Sequence, residues 1–414
     1  MSIDAIVTRG RGWYRRSGGG SPSHTPLSLT MMALVGMLVV LGLLMVLSTS
    51  SLLGLEEGIS AWDGFVRQSM WAVVGLVAFG IAAHVHFRAW RTLGPVILAV
   101  AFVTLVLVLV PGIGSLRDGA RRWIEFGPVG FQPSEIAKLG MLCYAATVLD
   151  RRVDRLDDWR ATFAPVFAVV VALGVLVMLE PDLDTTIEIA LIAATVLFVG
   201  GVALRHIGFL LALGGAVTLG FVLAFPWRMS RLLAFLHPTA DPQGAGYQTR
   251  QSLIHIGSGG LSGVGLGQGR AKWEGGLPAV HTDFIFSNIG EELGLLGGLI
   301  VLALFLMFAV VGFRIAVRIG EHDRFGMLLA AGATAWVGFQ ALINTAMTVG
   351  LLPVTGTPLP FISVGGSSLV SFMIAAGILV NLGRHCTPRT VPRSAGHPAV
   401  RARAAVTGPR PAPT

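Results

Sequence analysis

The segment AVHTDFIFSNIGEELG, residues 279–294, sets the carboxylate of Asp283 directly before a long apolar run, with His281 and Thr282 ahead of it and Glu291 and Glu292 behind. A carboxylate in that place has two uses. Thr282 or Asp283 can cap the helix that the apolar run predicts, which is what these residue types do most often at such a position. Asp283 can also take a proton as a general base, and the two acids further into the apolar run are expensive enough there to imply a task.

Two more segments gather charge. GARRWIEFGPVGFQPSEIAKLG, residues 119–140, reads as a tight loop built on Gly119, Gly127, Pro128, Gly130 and Pro133, and Pro133 can open a helix. In that helix Glu135 and Lys138 stand at i, i+3 and can pair as a buried structural bridge; Lys138 can also face an anionic ligand. Arg121 and Arg122, followed by Trp123, suit a pyrophosphate or lipid headgroups at an aromatic belt. EPDLDTTIE, residues 180–188, is a short turn with four acids, of which Glu180, Asp182 and Asp184 are candidate oxygen ligands for Mg, Mn or Ca. The plainer reading is a solvated turn with a capped helix.

The glycine series GSGGLSGVGLGQG, residues 257–269, lacks the GK[ST] ending of a phosphate loop, and its glycines are read as bends and hinges of a lid. Lys272 follows it, and Lys138 and Lys272 are the only lysines in the chain. PVTGTPLPFISVGGSSL, residues 353–369, resembles an extended segment lining a cavity; Ser367 and Ser368 are expected to cap the next helix or to touch a polar ligand.

These segments need a membrane scaffold. Of 414 residues 53% are hydrophobic and only 13% charged, far from a soluble domain. Apolar windows predict ten spans, at roughly 28–49, 69–86, 93–110, 133–149, 162–179, 185–203, 206–225, 284–312, 326–350 and 367–383. The fold class expected is therefore an all-α polytopic membrane protein with a large extracytoplasmic loop, about 226–283, between the seventh and eighth spans. The first run, from residue 27 to about 48, is too long for a signal peptide despite Arg9, Arg11, Arg15 and Arg16 before it.

With both termini cytoplasmic, most of the 30 Lys and Arg fall on the cytoplasmic side, including Arg88, Arg91 and residues 151–160 and 314–324. The exceptions on the outer side point to an anionic ligand. Residues 1–26 and 384–414 read as disordered cytoplasmic tails around a membrane domain at 27–383. The net charge of +8 is scattered rather than gathered on one surface, so nucleic-acid binding is not supported. Cys143, in an apolar run, and Cys386, in the tail, support neither a disulfide nor a zinc site.

In combination and in this order, RRWIEFGPVGFQPSEIAKL, the PDL turn, GYQTRQSLIHIGSGGLSGVGLGQG, LP followed by HTDFIF, EELGLLGG and PLPFISVGGSSL resemble the SEDS family, over about residues 30–383. The resemblance implies a ten-helix inner-membrane enzyme that polymerises lipid II. It implies that Asp283 is the essential aspartate, that Glu135 and Lys138 are the family's helix 4 pair, and that a class B penicillin-binding protein is the partner. GLLMVLSTSS and GVGLGQGRAKW lean toward the FtsW branch over RodA, hence toward the division septum and other division proteins. The chain departs from the family pattern at Ala279, usually Glu, and at Glu180 and Asp184, usually Gln and Gly.

The chemistry so implied inverts an α-linked donor to a β-1,4 bond, for which one carboxylate suffices. Asp283 would take the proton of the acceptor 4-hydroxyl, while Arg121, Arg122, Lys138 and Lys272, with a divalent Mg or Mn ion as an optional addition, would cover the leaving pyrophosphate. His281, Thr282, Ser367 and Ser368 complete the expected substrate contacts. The alternatives are a flippase for the same lipid, an elongation-type polymerase, and a division scaffold without chemistry.

Overall fold

The computed structural model describes residues 25–386, apart from 57–59, 61, 118, 128, 157, 238–243, 245 and 274–275. The four N-terminal arginines, both predicted tails up to His24 and beyond Cys386, and Pro128 of the charged loop lie outside the described residues. The elements in chain order are α1 (Pro26–Glu56), α2 (Asp63–His84), α3 (Ala89–Leu109), β1 (Gly114–Arg117), β2 (Ala120–Phe126), β3 (Val129–Phe131) and α4 (Pro133–Arg151). They continue with α5 (Phe163–Leu179), α6 (Leu183–Val199), α7 (Leu204–Ala224), α8 (Pro226–Leu236) and α9 (Tyr247–Ser258). Last come α10 (Ile285–Glu292), α11 (Gly294–Gly320), α12 (Arg324–Thr348) and α13 (Gly366–Arg384).

Helix covers each of the ten apolar windows. Among the described residues, seven helices are long and apolar enough to cross a membrane, namely α1 to Ser50, α2, α3, α7, α11, α12 and α13, and α5 is a shorter apolar helix. α4 is set apart by its internal charges, and α5 and α6 by their 17-residue lengths.

Two sequence expectations change. The fold is not purely helical, because the loop before α4 is a three-stranded antiparallel sheet in the order β1-β2-β3. Gly127, at φ +62, opens the turn between β2 and β3, where Phe126 pairs with Val129. β1 and β3 are too short to read, and β2, ARRWIEF, does not alternate apolar with polar residues, so no strand pattern stands out in sequence. The eighth window, moreover, is broken at Leu293, between α10 and α11. Gly294 sits there at φ +69, and a methyl group on it would stand 2.3 Å from the amide nitrogen of Gly263. Only glycine lets the loop backbone pass that close.

Packing relies on close approach between helices, as expected where lipid removes most of the hydrophobic drive. At Gly377 a methyl group would stand 2.6 Å from the Phe79 carbonyl, so α13 lies directly on α2. α12 and α13 are largely buried, whereas α7 is almost wholly exposed in the isolated chain. The start of α1 is tied to the end of α13 by Thr25 Oγ1 donating to the Gly383 carbonyl at 2.8 Å, which sets both at one end of the bundle. That end also carries the Arg88–Asp323 and Arg91–Asp150 pairs. Cys386, expected in a free tail, is instead buried against α11 and α13 with its Sγ toward the carbonyls of Ile315 and Leu382.

Candidate active site

The opposite end of the bundle gathers the sheet, the α5–α6 turn, the segment 279–284 and the extended stretch 353–365. They enclose a cavity of about 310 Å³ whose wall includes Arg122, Glu135, Lys138, Asp182, Asp184, Glu188, Thr282, Asp283, Gln340, Gly356 and Ser368. The lining acids outnumber the lining bases.

Lys138 forms the floor. Its Nζ lies 2.9 Å from Glu135 Oε1 and 2.9 Å from Glu188 Oε2, with 2% of its side chain exposed. Gln340 Oε1 accepts from it at 3.3 Å, and the ammonium sits over the rings of Trp336 and Phe372. One lysine thus ties α4, α6, α12 and α13 together, and its charge is matched before any ligand arrives. Glu135 keeps one oxygen, Oε2, buried and without a partner.

Asp283 is held by its backbone rather than its side chain. Asn344 Nδ2 donates to the Asp283 carbonyl at 2.8 Å, Ser363 Oγ to the Thr282 carbonyl at 2.6 Å, and the Val364 amide to the His281 carbonyl at 3.0 Å. Asn344 also grips the Thr357 carbonyl at 2.7 Å, joining the two irregular segments. The capping reading fails for Thr282 and Asp283. Phe284 is the N-cap of α10, no side chain caps it, and the Thr282 hydroxyl turns back to the Ala279 carbonyl. The Asp283 carboxylate, half-buried, has no hydrogen bond among the described residues and faces the cavity. Burial pushes its carboxyl up to about 6, against the pull of the Arg231 guanidinium.

The two arginines of β2 separate. Successive strand residues point to opposite faces, so Arg122 reaches the cavity and Arg121 does not line it. Arg122 Nε donates to the Glu180 carbonyl at 2.9 Å and Nη2 to the Pro181 carbonyl at 2.5 Å, where Arg228 of α8 also donates. The guanidiniums therefore shape the α5–α6 turn.

The three candidate metal ligands of that turn have different fates. Asp182 caps α6, accepting from the amide and hydroxyl of Thr185 at 3.2 and 2.9 Å, and takes a bond from Gln132 at 3.3 Å. Glu180 is fully buried with both carboxylate oxygens unpartnered; burial, with Asp182 beside it, pushes its carboxyl up to about 9. At neutral pH it is an uncharged acid, similar in hydrogen bonding to the glutamine of the family pattern. Asp184 alone projects freely into the cavity. Among the described residues no three His, Cys, Asp or Glu side chains are placed to share a metal ion.

Three more expectations shift. Lys272 lies outside the cavity, wholly buried against Glu292 at 2.9 Å and Ser48. His281 is not part of the wall either; its backbone serves as an anchor. Ser367 and Ser368 do not cap α13, whose N-cap is Gly365; Ser368 faces the cavity, and the Ser367 hydroxyl is buried without a partner. Conversely, Glu188, Gln340, Asn344 and Gly356 escaped the sequence reading. Spacing held a signal, since Asp184 with Glu188 and Gln340 with Asn344 are i, i+4 polar pairs on otherwise apolar helices.

The glycine series and Lys272 belong to a second cluster. Glu291 accepts from the amides of Arg270 and Ala271 at 2.8 and 2.9 Å and pairs with His255 at 3.2 Å. Glu292 accepts from the Gly267 amide at 3.1 Å, from Ser48 at 2.7 Å and from Lys272. The loop expected to hinge is thereby pinned to the break between α10 and α11.

Comparison with known proteins agrees with this architecture. The chain is 37% identical over 361 residues to stage V sporulation protein E of Bacillus subtilis, covering 87% of this chain and 98% of that protein. It is 42% identical over 358 residues to a probable peptidoglycan glycosyltransferase FtsW of Mycobacterium tuberculosis, covering 86% and 67%. Among solved structures, a chain from a peptidoglycan synthase complex that coordinates polymerization and crosslinking superposes with a TM-score of 0.70 at 28% identity, covering 86% of this chain and 97% of that one. The rod shape determining protein RodA of Thermus thermophilus gives 0.64 at 27% identity, with the same coverage. Residues 28–387 match the cell cycle protein model built on FtsW, RodA and SpoVE, and the chain belongs to that family.

Proposed function

We propose that this chain is a peptidoglycan glycosyltransferase that polymerises lipid II with inversion at the anomeric carbon. The observation that carries the reading is the Asp283 carboxylate, which has no hydrogen bond among the described residues at the cavity while Asn344, Ser363 and Val364 fix the backbone of residues 281–283 beneath it. A base must be free to accept a proton and held so that it meets the substrate without searching. With a carboxyl pushed up to about 6, Asp283 is mostly ionised at neutral pH yet more basic than an exposed aspartate.

In the reaction the acceptor 4-hydroxyl attacks the donor anomeric carbon. Its proton passes to Asp283, and the donor bond to the lipid pyrophosphate breaks with the electron pair leaving on the pyrophosphate oxygen. No general acid is needed for a leaving group already ionised. Arg122, at the cavity wall, is the cation best placed to meet that charge, since Lys138 is already balanced by Glu135 and Glu188. No step is assigned to a divalent ion.

Helix in all ten apolar windows supports ten spans, and the arginines at the far end, including Arg88, Arg91 and Arg151, support a cytoplasmic location for that end. The cavity then opens on the outer side of the inner membrane, where lipid-linked sugars are assembled into wall. The FtsW name of relatives at up to 42% identity supports a septal role, and the synthase complex among the similar structures supports a class B penicillin-binding protein as partner. A flippase needs a polar route through the whole bilayer; here Lys138, Glu135, Glu291 and Glu292 all bond near one end. The test is glycan synthesis from labelled lipid II in detergent, with the partner transpeptidase added. Asp283→Asn should lose roughly 10²- to 10⁴-fold in rate with an unchanged melting temperature; product at the wild-type rate would remove the base assignment.

A further inference from the structure

Asp184 stands in the first turn of α6, across the cavity from Asp283, and Gly356 lies between them. A methyl group on Gly356 would stand 3.6 Å from Asp283 Oδ2 and 4.0 Å from Asp184 Oδ2. Both carboxylates therefore look onto one gap, whose floor is the bare Cα of a residue at φ +93. The two acids beside Asp184 on its helix are already engaged: Asp182 caps α6, and Glu188 holds Lys138. Asp184 has no hydrogen bond or ion pair among the described residues; Arg122 and Arg228, whose charges act on it, each direct an Nη2 donor to the Pro181 carbonyl rather than to Asp184. A further sign of a polar occupant comes from α4. Glu135 is 4% exposed and lines the same cavity, with Oε2 unpartnered.

An unpartnered polar group at a closed wall is costly unless a ligand satisfies it. A carboxylate accepts from hydroxyls at about 2.5–3.0 Å, and two carboxylates facing one gap suit neighbouring hydroxyls of a single sugar. We propose that Asp184 is a second sugar-binding carboxylate of this site, accepting from the 3- or 6-hydroxyl of the acceptor glucosamine while Asp283 takes the 4-hydroxyl over the floor of Gly356. This rests on the reading of Asp283 as the base. Asp184 orients the acceptor and selects for the neighbouring hydroxyl; it takes no proton from the attacking oxygen.

The experiment uses full-length protein with its partner transpeptidase. It measures strand transfer onto lipid II and onto lipid II analogues lacking the acceptor 3-hydroxyl or 6-hydroxyl. Asp184→Ala should raise the KM for lipid II by roughly 10- to 100-fold with kcat nearly kept, the range for one hydrogen bond to a charged group. Asp184→Asn, which still accepts, should recover part of the loss. On the analogue that lacks the gripped hydroxyl, wild type and Asp184→Ala should perform alike, because the contact is already gone. A wild-type KM in Asp184→Ala overturns the proposal, as does an equal penalty on lipid II and both analogues. A melting temperature alongside each variant separates lost grip from lost fold, and Asp184→Asn carries the comparison if the alanine variant is unstable. Loss of the base reading would show separately, as activity retained in Asp283→Asn.

Discussion

Two acid clusters share one end of this bundle and treat their carboxylates in opposite ways. Around the α10–α11 break every oxygen of Glu291 and Glu292 has a donor, from loop amides, Ser48, His255 or Lys272. Around the cavity, Asp283, Asp184 and one oxygen of Glu135 have none among the described residues. The first cluster satisfies its own carboxylates and holds shape; the second leaves them without protein donors, which is what the proposed role in substrate binding requires. Each contains one of the two lysines, so residue type does not separate them.

The largest expected break in this contrast is at the closed cluster. Glu292→Ala strands Lys272 at a site with 0% side-chain exposure, and removing one partner of a buried pair costs about 3–5 kcal/mol. Thermal melting in detergent should show that loss, with activity falling in step with folded protein. Replacing both, as Lys272→Met with Glu292→Leu, should regain much of the stability; if the pair replacement melts as low as the single variant, the cluster does more than hold the loop.

A smaller effect sharpens the open cluster. Asp283 must be ionised to accept a proton, so kcat/KM should fall about tenfold per pH unit as pH drops below about 6, the value to which burial pushes it. The stability effect has the opposite sign. A carboxyl raised by folding is better tolerated protonated, so Asp283 disfavours the fold above about pH 6 and ceases to do so as pH falls toward its unfolded value. Asp283→Asn should therefore melt no lower than wild type at pH 7.5. A rate profile flat through pH 5–7 would contradict the base role.

The smallest test lies between the clusters. Ala279, at φ +55, occupies the left-handed region in the stretch that delivers Asp283, which costs a non-glycine residue roughly 1–2 kcal/mol. Ala279→Gly relieves that strain but frees the unfolded chain, leaving a gain of about 1 kcal/mol or less in melting experiments, with turnover unchanged if the backbone anchors alone place Asp283.

Much of this protein is determined by its sequence alone. Apolar runs of spanning length place the long helices, except that one run merges α10 with α11, because lipid leaves the backbone few other ways to satisfy itself. The ordered motifs around HTDFIF and PSEIAKL pick out Asp283, Glu135 and Lys138, and the structure brings these three to one cavity. What only the tertiary structure decided is which charges are spent. Arg121 and Arg122 are adjacent in sequence yet fall on opposite faces of a strand whose residues, ARRWIEF, carry no apolar–polar alternation to announce it. Lys138 and Lys272 look equally available, and Asp182 and Asp184 equally fit for a ligand, until partners some 50 or 200 residues away are in place. A carboxylate's chemistry depends on which donors reach it, and donors from distant helices are assigned only when the bundle closes.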